Sequence, residues 1–372
     1  MQRFKATTYN LQEETVIEFS KNKFSRGIEI GGIQSGNNAT VVCVYIDIDF
    51  IHESNSNFIK IAEEDFNSLN SGDIILFKPN GIVQVLFYKH QNDNALFLTN
   101  NCNNACLICS QPPLYTDDFT YFYLLNTAII ELLSDSPNTI GITGGEPTLL
   151  GYGLISLIEK ISDKFPLTNI QILSNGRKFN DLFYTESISK IKLDNLLICI
   201  PLHSDYYSDH DKISGIIGSY NETLKGLYNL FRFNINVEIR IVINRLNYKR
   251  LNQMANYIFK NLPNASHIAF MGMEYTGFAV KNSNELLIFA EDYQNELEEA
   301  VLYLSSWGMN VSIYNIPLCL LKPSLYKYSN KSISNWKIKY FKECLGCLQK
   351  DNCGGSFNTS KFHSDKIRAI TI

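Results

Sequence analysis

Residues 95–113 read ALFLTNNCNNACLICSQPP: a short apolar run, then a polar loop bearing three cysteines, then a Pro-Pro break. The pattern that begins here, an apolar run followed by a loop and a segment of helical spacing, recurs as far as about residue 316. Strands are expected at residues 95–100, 139–143, 169–174, 195–202, 236–243 and 267–273. Helices are expected at 119–135, 153–165, 179–191, 219–231, 248–262 and 284–306. Six such βα units imply a parallel sheet with helices outside it. In a parallel barrel or open sheet the reactive groups gather beyond the carboxyl ends of the strands, so the residues just after each strand are the ones to read for chemistry.

After the first strand, Cys102, Cys106 and Cys109 form a CxxxCxxC loop with no fourth ligand nearby. Three thiolates on one loop can hold three irons of a 4Fe-4S cluster and leave the fourth iron open to a non-protein ligand. A structural zinc site wants four closed ligands and would have to borrow a distant Cys or His. The second strand ends in Gly144-Gly145-Glu146-Pro147. Adjacent glycines let a small polar ligand approach the backbone, and the Glu and exposed carbonyls can accept from an ammonium group, although such a sequence is also simply a turn.

Later strand ends are polar as well: Ser174-Asn175-Gly176, His203-Ser204 and Asn244. Helix N-capping competes as an explanation for these Ser and Asn residues, and His203 reads as a pocket-lining or structural histidine. Glu238, Arg240, Val242 and Asn244 share one strand face by period two. An inward Arg240 could reach a carboxylate; an ion pair with Glu238 is the plainer alternative. Glu274 and Tyr275, after the sixth strand, are weak substrate-pocket candidates.

Around this core, residues 1–93 read as a β-rich domain with a hairpin turning at Asn80-Gly81, and Asp47 and Asp49 as a solvated strand face. Residues 94–308 hold the βα units. Residues 309–372 turn Tyr-, Lys- and Ser-rich and deliver Cys319, Cys344, Cys347 and Cys353. Clustered thiols in a chain with no apolar leader suggest metal before disulfides, whereas Cys43 and Cys199, in strand-like apolar runs, read as inert buried thiols. With 45% hydrophobic and 19% charged residues the chain folds. A formal net charge of −4 asks for no nucleic acid, and no apolar stretch reaches the ~20 residues that span a bilayer. A cytoplasmic location is expected, with no membrane partner.

The CxxxCxxC loop after the first strand and the Gly-Gly-Glu after the second resemble the radical S-adenosylmethionine (SAM) superfamily. The resemblance implies an α/β fold with a partial (β/α)6 TIM-like barrel. It also implies that Cys102, Cys106 and Cys109 hold a 4Fe-4S cluster whose open iron chelates SAM, and that one electron then yields a 5′-deoxyadenosyl radical. By motif position, Gly144, Gly145 and Glu146 receive the methionine amino group, with Pro147 beside them in the cofactor-binding set. Ser174, Asn175, Ser204 and Arg240 are further cofactor contacts. Ile108 departs from the pattern, since an aromatic usually precedes the third cysteine near the adenine.

The tail CxxCx5CGG resembles the SPASM or shortened Twitch auxiliary domain. Phe357 stands where the full pattern has a further cysteine, so one auxiliary 4Fe-4S cluster is implied, on Cys319, Cys344, Cys347 and Cys353; a four-cysteine zinc site is the alternative. Residues 96–113 with NIPLCLL and the CGGSF segment resemble the C-type radical SAM maturases of His-Xaa-Ser systems. That implies a peptide substrate with His-Xaa-Ser repeats, a paired radical SAM protein and an external electron donor. The expectation is a peptide maturase, with a small-molecule radical enzyme and a zinc-stabilised scaffold as rivals.

Overall fold

The computed structural model describes residues 2–9, 13–21, 25–29, 39–46, 57–92, 94–191, 193–331 and 337–371. Asp47 and Asp49, and the side chain of Cys43, lie outside the described residues. The chain divides into two compact units: residues 1–99, 117–144 and 150–170, and residues 100–116, 145–149 and 171–372.

In the first unit seven strands close into a barrel. They are β1 (Arg3–Tyr9), β2 (Thr15–Glu18), β3 (Ser25–Glu29), β4 (Ala39–Ile46), β5 (Asn57–Ile61), β6 (Ile74–Phe77) and β7 (Ile82–Phe87). Their order is β1-β5-β4-β3-β2-β6-β7, and β7 returns to pair with β1. The β6–β7 pair is antiparallel around Asn80-Gly81, as the turn chemistry demands, with Gly81 at φ +80°. Helix α1 (Glu63–Ser68) follows β5. Ile17, Phe19, Ile59, Ile75, Phe77, Val83 and Val85 fill the interior; each such side chain taken fully from water contributes roughly 1.5–3 kcal/mol.

The same unit holds a parallel pair, β8 (Ala95–Phe97) and β9 (Thr139–Thr143), with α2 (Phe119–Leu132) and α3 (Tyr152–Lys164). Leu125, Ala128, Ile129 and Leu132 give α2 its buried stripe at helical spacing. Asn126 ties the helix to β8, its Nδ2 donating to the Phe97 carbonyl at 2.8 Å. The chain leaves this unit within β10 (Asn169–Leu173).

The second unit carries β11 (Leu196–Pro201), β12 (Asn236–Val242), β13 (His267–Met271), β14 (Val311–Tyr314) and β15 (Ser329–Asn330), paired in that order and all parallel. Their near-continuous apolar runs suit strands covered on both faces. Helices α4 (Leu182–Ser189), α5 (Tyr207–Ser214), α6 (Ser219–Arg232), α7 (Leu251–Asn261), α8 (Gly277–Lys281), α9 (Ser283–Leu286) and α10 (Gln294–Ser306) lie between strands in the chain. This is an α/β fold with a parallel sheet.

Four elements depart from those expected. The helix expected at 179–191 starts later because Asp181 caps it, accepting from the amides of Phe183 and Tyr184. The helix expected at 284–306 is broken: the Tyr275 hydroxyl bonds both the amide and the carbonyl of Ile288, replacing the helical partners there. Helix α5 is an additional element between β11 and α6. Strand β14 continues the parallel sheet past residue 308. Among the described residues no helix is long and apolar enough to cross a membrane.

Candidate active site at the cysteine loop

Residues 100–116 are fastened along their backbone within the second unit. The end of α5 holds the loop's middle, with the Ala105 and Leu107 amides donating to the carbonyls of Ser214 and Ile213 at 3.0 and 2.9 Å. On the far side the Phe278 amide donates to the Cys109 carbonyl at 2.8 Å, and the Asn282 amide group to Leu107. Arg177 reaches the start of the loop, its Nη1 donating to the Asn103 carbonyl at 2.6 Å and to Asn104 Oδ1 at 2.9 Å while Nε pairs with Glu222. These bonds leave the loop little freedom other than at its thiols.

The three thiols sense one another. Burial pushes Cys102 up to about 11, with the charges of Glu146 and Cys109 adding to it. Burial pushes Cys106 up to about 12, with Cys102 and Cys109 again opposing ionisation. Cys109 is raised by burial. The Asn104 amide donates to Cys102 Sγ at 3.4 Å and its side-chain nitrogen to Cys106 Sγ at 3.8 Å. Three soft donors spaced along one held loop, with N–H groups already aimed at two of the sulfurs, suit an iron–sulfur cluster by their chemistry.

Gly144 and Gly145 are required by space. In the first unit a Cβ on Gly144 would stand 2.7 Å from the Thr99 carbonyl oxygen; in the second, one on Gly145 would stand 2.1 Å from that of Asn101. The close approach lets the Glu146 amide donate to the Asn101 carbonyl at 2.8 Å, one residue before Cys102. Glu146 itself is buried. Its Oε1 accepts from Thr148 Oγ1 (2.6 Å), the Thr148 amide (3.1 Å) and Ser174 Oγ (2.8 Å), and its Oε2 from the Asn175 amide (2.7 Å). Burial raises its pKa against the opposing pull of these four donors. The carboxylate thereby ties the turn at Pro147 to the end of β10, and Asn175 passes the link on through Nδ2 to Asn103 Oδ1 at 2.6 Å.

The other candidates divide. Ile108 joins an apolar cluster with Leu107, Met273, Tyr275, Val242 and Leu246 beside the loop. Ser204 is buried and accepts from the Tyr206 amide, a local turn bond. Asn244 bonds Leu246 and Val242 in the same way. His203 and His210 face each other with ring centroids 5.0 Å apart. Glu274 accepts from Thr359.

Arg240 takes the plainer alternative: its Nε donates to Glu238 Oε1 at 2.5 Å. Glu238 Oε2 meets His267 Nδ1 at 2.6 Å, and His267 Nε2 meets Ser312 Oγ at 2.9 Å. Asn330 Nδ2 also donates to the Ser312 hydroxyl at 2.8 Å, which extends this bonded series to β15. Burial opposes the Glu238 charge, yet His267 and Arg240 hold its carboxyl down at about 2.

In the tail, Cys319, Cys344, Cys347 and Cys353 line one cavity. Cys353 Sγ accepts from the amides of Leu318 (3.3 Å) and Gly355 (3.4 Å), and Cys347 Sγ from Ile370 (3.3 Å). Burial raises Cys319 and Cys353. Among the described residues no three His, Cys, Asp or Glu side chains, in the tail or on the 102–109 loop, close tightly enough to ligate one ion; the four tail cysteines stand around a cavity. Phe357 sits in a two-residue strand opposite Ile338.

Arg177, Asn103, Asn104 and the Ser214 carbonyl escaped the sequence reading. The SNGRK run after the third strand places a cation beside the loop, which was the signal available for Arg177; the clamp from α5 had none.

Residues 96–258 match the family model of the radical SAM superfamily. The match covers less than half of the chain. The chain also aligns with the uncharacterized protein MJ0907 of Methanocaldococcus jannaschii, 28% identical over 173 residues, covering 44% of this chain and 57% of that one. Among solved structures, Streptococcus suis SuiB bound to S-adenosylmethionine matches with a TM-score of 0.48 at 13% identity, over 65% of this chain and 54% of SuiB. The anSMEcpe enzyme with bound AdoMet and the Kp18Cys peptide matches with a TM-score of 0.46 at 16% identity, over 59% and 62% of the two chains. The chain thus spans little more than half the length of the first relatives it matches.

Proposed function

We propose that the chain is a radical SAM enzyme that modifies a peptide, built from a recognition domain (1–93), a partial (β/α)6 barrel (94–308) and a Twitch-like auxiliary domain (309–372). The observation that carries this reading is the clamped loop that bears Cys102, Cys106 and Cys109, joined through Asn101 and Asn103 to Gly145, Glu146, Ser174 and Asn175. When bound, a 4Fe-4S cluster on those thiols supplies the electron that cleaves the SAM sulfonium to a 5′-deoxyadenosyl radical. The chain's own residues do the rest. Gly145 brings backbone polar groups close to the loop for the methionine end of SAM. Glu146 fixes Ser174 and Asn175 at the neighbouring strand end, and Ile108 offers the adenine an apolar surface.

Peptide modification rests on the resemblance of residues 96–113, NIPLCLL and the CGGSF tail to peptide maturases. Cys319, Cys344, Cys347 and Cys353 would hold the auxiliary cluster. The test is SAM cleavage under anaerobic reduction, with 5′-deoxyadenosine quantified. Wild type should produce it, and the Cys102→Ala/Cys106→Ala/Cys109→Ala variant should produce none. Equal yields from the two would defeat the assignment. Addition of a peptide with His-Xaa-Ser repeats should raise turnover and give a mass change in the peptide; a reaction indifferent to peptide would return the small-molecule alternative.

A further inference from the structure

A second cavity lies beyond the carboxyl ends of β13 and β14. Met273, Tyr275 and Asn315 line it from the strand ends, Tyr293 from the chain ahead of α10, and Phe357 and Phe362 from the tail. With its solvent-open mouth it encloses about 440 Å³, within the range of small-ligand sites. Met273, Tyr275 and Phe362 also belong to the apolar cluster that holds Leu107 and Ile108, so one wall backs onto the cysteine loop. The polar groups around the cavity are largely committed. Ile288 holds the Tyr275 hydroxyl, Ser360 Oγ accepts from the Tyr275 amide and donates to the Phe362 carbonyl, and Ser364 Oγ donates to Glu291. Asn315 is not. It is 6% exposed, and its side-chain nitrogen has no hydrogen-bond partner among the described residues. Its backbone sits at φ +58°, with Gly272 packed so closely that a Cβ there would stand 2.5 Å from the Asn315 carbonyl oxygen. A left-handed backbone alone is met best by glycine, which brings no amide to bury. An asparagine leaves a donor unmet, and that costs free energy unless an occupant of the cavity accepts from it.

We infer that this cavity holds a neutral aromatic side chain with a hydroxyl at its tip, and that Asn315 recognises the oxygen. The lining sets that chemistry. Among the described residues no Lys, Arg, Asp or Glu lines the cavity, and His363, which does, is kept neutral by burial and by the charge of Lys339. A charged occupant would lose its water without gaining a partner. Aromatic walls favour an aromatic occupant through edge and offset contacts. The unmet Asn315 N–H asks for an acceptor; a phenol oxygen supplies one and a plain phenyl ring does not. The inference deepens the peptide reading by naming a residue type the peptide presents, and its place in the reaction rests on that reading. Ordered water is the competing occupant; it would satisfy the amide but needs no aromatic walls. A cationic side chain would be drawn to Glu291, whose Oε2 also lacks a partner, but that carboxylate stands outside the lining and is bonded through Oε1 to Ser364.

The probes are p-cresol, toluene, 4-methylbenzoate and 4-methylbenzylamine, which share one ring and differ at the tip. Their affinities are read by ligand-detected NMR on the anaerobically reconstituted full chain. Wild type should bind p-cresol about tenfold tighter than toluene, the worth of one hydrogen bond to a buried donor, and about tenfold tighter than either charged probe. Asn315→Gly keeps the left-handed backbone and removes the amide, so it should melt close to wild type and bring p-cresol to within about twofold of toluene. Ala290→Leu, which fills the cavity from its wall, should weaken both probes about tenfold. N-acetyltyrosinamide should displace p-cresol, and N-acetylphenylalaninamide should need about tenfold more. Equal affinities for p-cresol and toluene, a preference for either charged probe, or a p-cresol affinity that Asn315→Gly leaves unchanged overturns the inference. Saturable binding of none of them overturns it as well and leaves the cavity to water. A blocked tyrosine that fails to enter overturns the peptide assignment. 5′-Deoxyadenosine measured on the same samples keeps the two readings apart: SAM cleavage without p-cresol binding overturns the cavity's role alone, whereas p-cresol binding without SAM cleavage leaves the pocket standing and defeats the radical reading.

Discussion

Substituting Gly145 by Ala should loosen the cysteine loop from its support. The added Cβ would stand 2.1 Å from the Asn101 carbonyl oxygen and 3.0 Å from that of Asn100. Both are backbone atoms, so no side-chain rotation relieves the contact. Either the turn at 144–146 or the start of the loop must retreat by about 1 Å to restore an ordinary carbon–oxygen separation near 3.3 Å. Overpacking of this kind costs about 1–3 kcal/mol. The retreat also stretches the Glu146 amide bond to Asn101, and a buried backbone group left without its partner costs about 1–3 kcal/mol more. A loss of about 3 kcal/mol is therefore expected in urea unfolding of the anaerobic protein. Because Asn101 precedes Cys102 directly, iron retention after gel filtration should fall at least threefold. Gly308→Ala is the control: Gly308 has φ +77° and nothing within 4 Å of an added Cβ, so only backbone strain of about 1 kcal/mol applies, with iron unchanged. Gly145→Ala with wild-type unfolding and wild-type iron would refute the close approach and the coupling drawn from it.

Arg177→Gln removes the donors to the Asn103 carbonyl and Asn104 Oδ1; a cost of about 1–3 kcal/mol is expected, together with faster amide exchange at residues 103–105. His203 and His210 are buried and held neutral, His203 well below its ordinary range and His210 at about 4. The unfolded chain takes up these protons near pH 6.5 and the folded one does not, so stability should fall as pH drops from 6.5 towards 4. At roughly 1.4 kcal/mol per tenfold change in proton affinity, His210 alone contributes about 3 kcal/mol of that loss, and His210→Phe should flatten the curve if it folds. In the metal-free protein, burial lifts Cys102 from 9.0 to about 11. Its alkylation by iodoacetamide at neutral pH should therefore be about 100-fold slower than that of an unperturbed thiol, since the thiolate is the nucleophile; a rate equal to that of a free thiol would show that the loop is open to water.

The parallel strands were legible because burial on both faces leaves near-continuous runs such as LLICIP and HIAFM, and their observed ends fall within a few residues of those expected. The turn at Asn80-Gly81 was legible from its chemistry. What failed was decided by tertiary bonds. The Tyr275 hydroxyl breaks the helix expected at 284–306 from a distance of 13 residues, which no local periodicity records. Helix α5 has weak amphipathicity of its own and is needed because its last carbonyls receive the cysteine loop. At the site, spacing singled out the thiols and the Gly-Gly-Glu turn as candidates. It could not tell that the Glu146 carboxylate would be consumed by four internal donors, nor that Arg240 would be spent on Glu238.

The most direct test of the central claim is metal analysis of the anaerobically reconstituted chain, with iron and acid-labile sulfide counted per protein. The account predicts about eight irons and eight sulfides, two four-iron clusters. The count should fall to about four when Cys102, Cys106 and Cys109 are changed to Ala, and to about four when the four tail cysteines are changed instead. A wild-type chain that holds zinc and no iron, or an iron count indifferent to Cys102, Cys106 and Cys109, would contradict it.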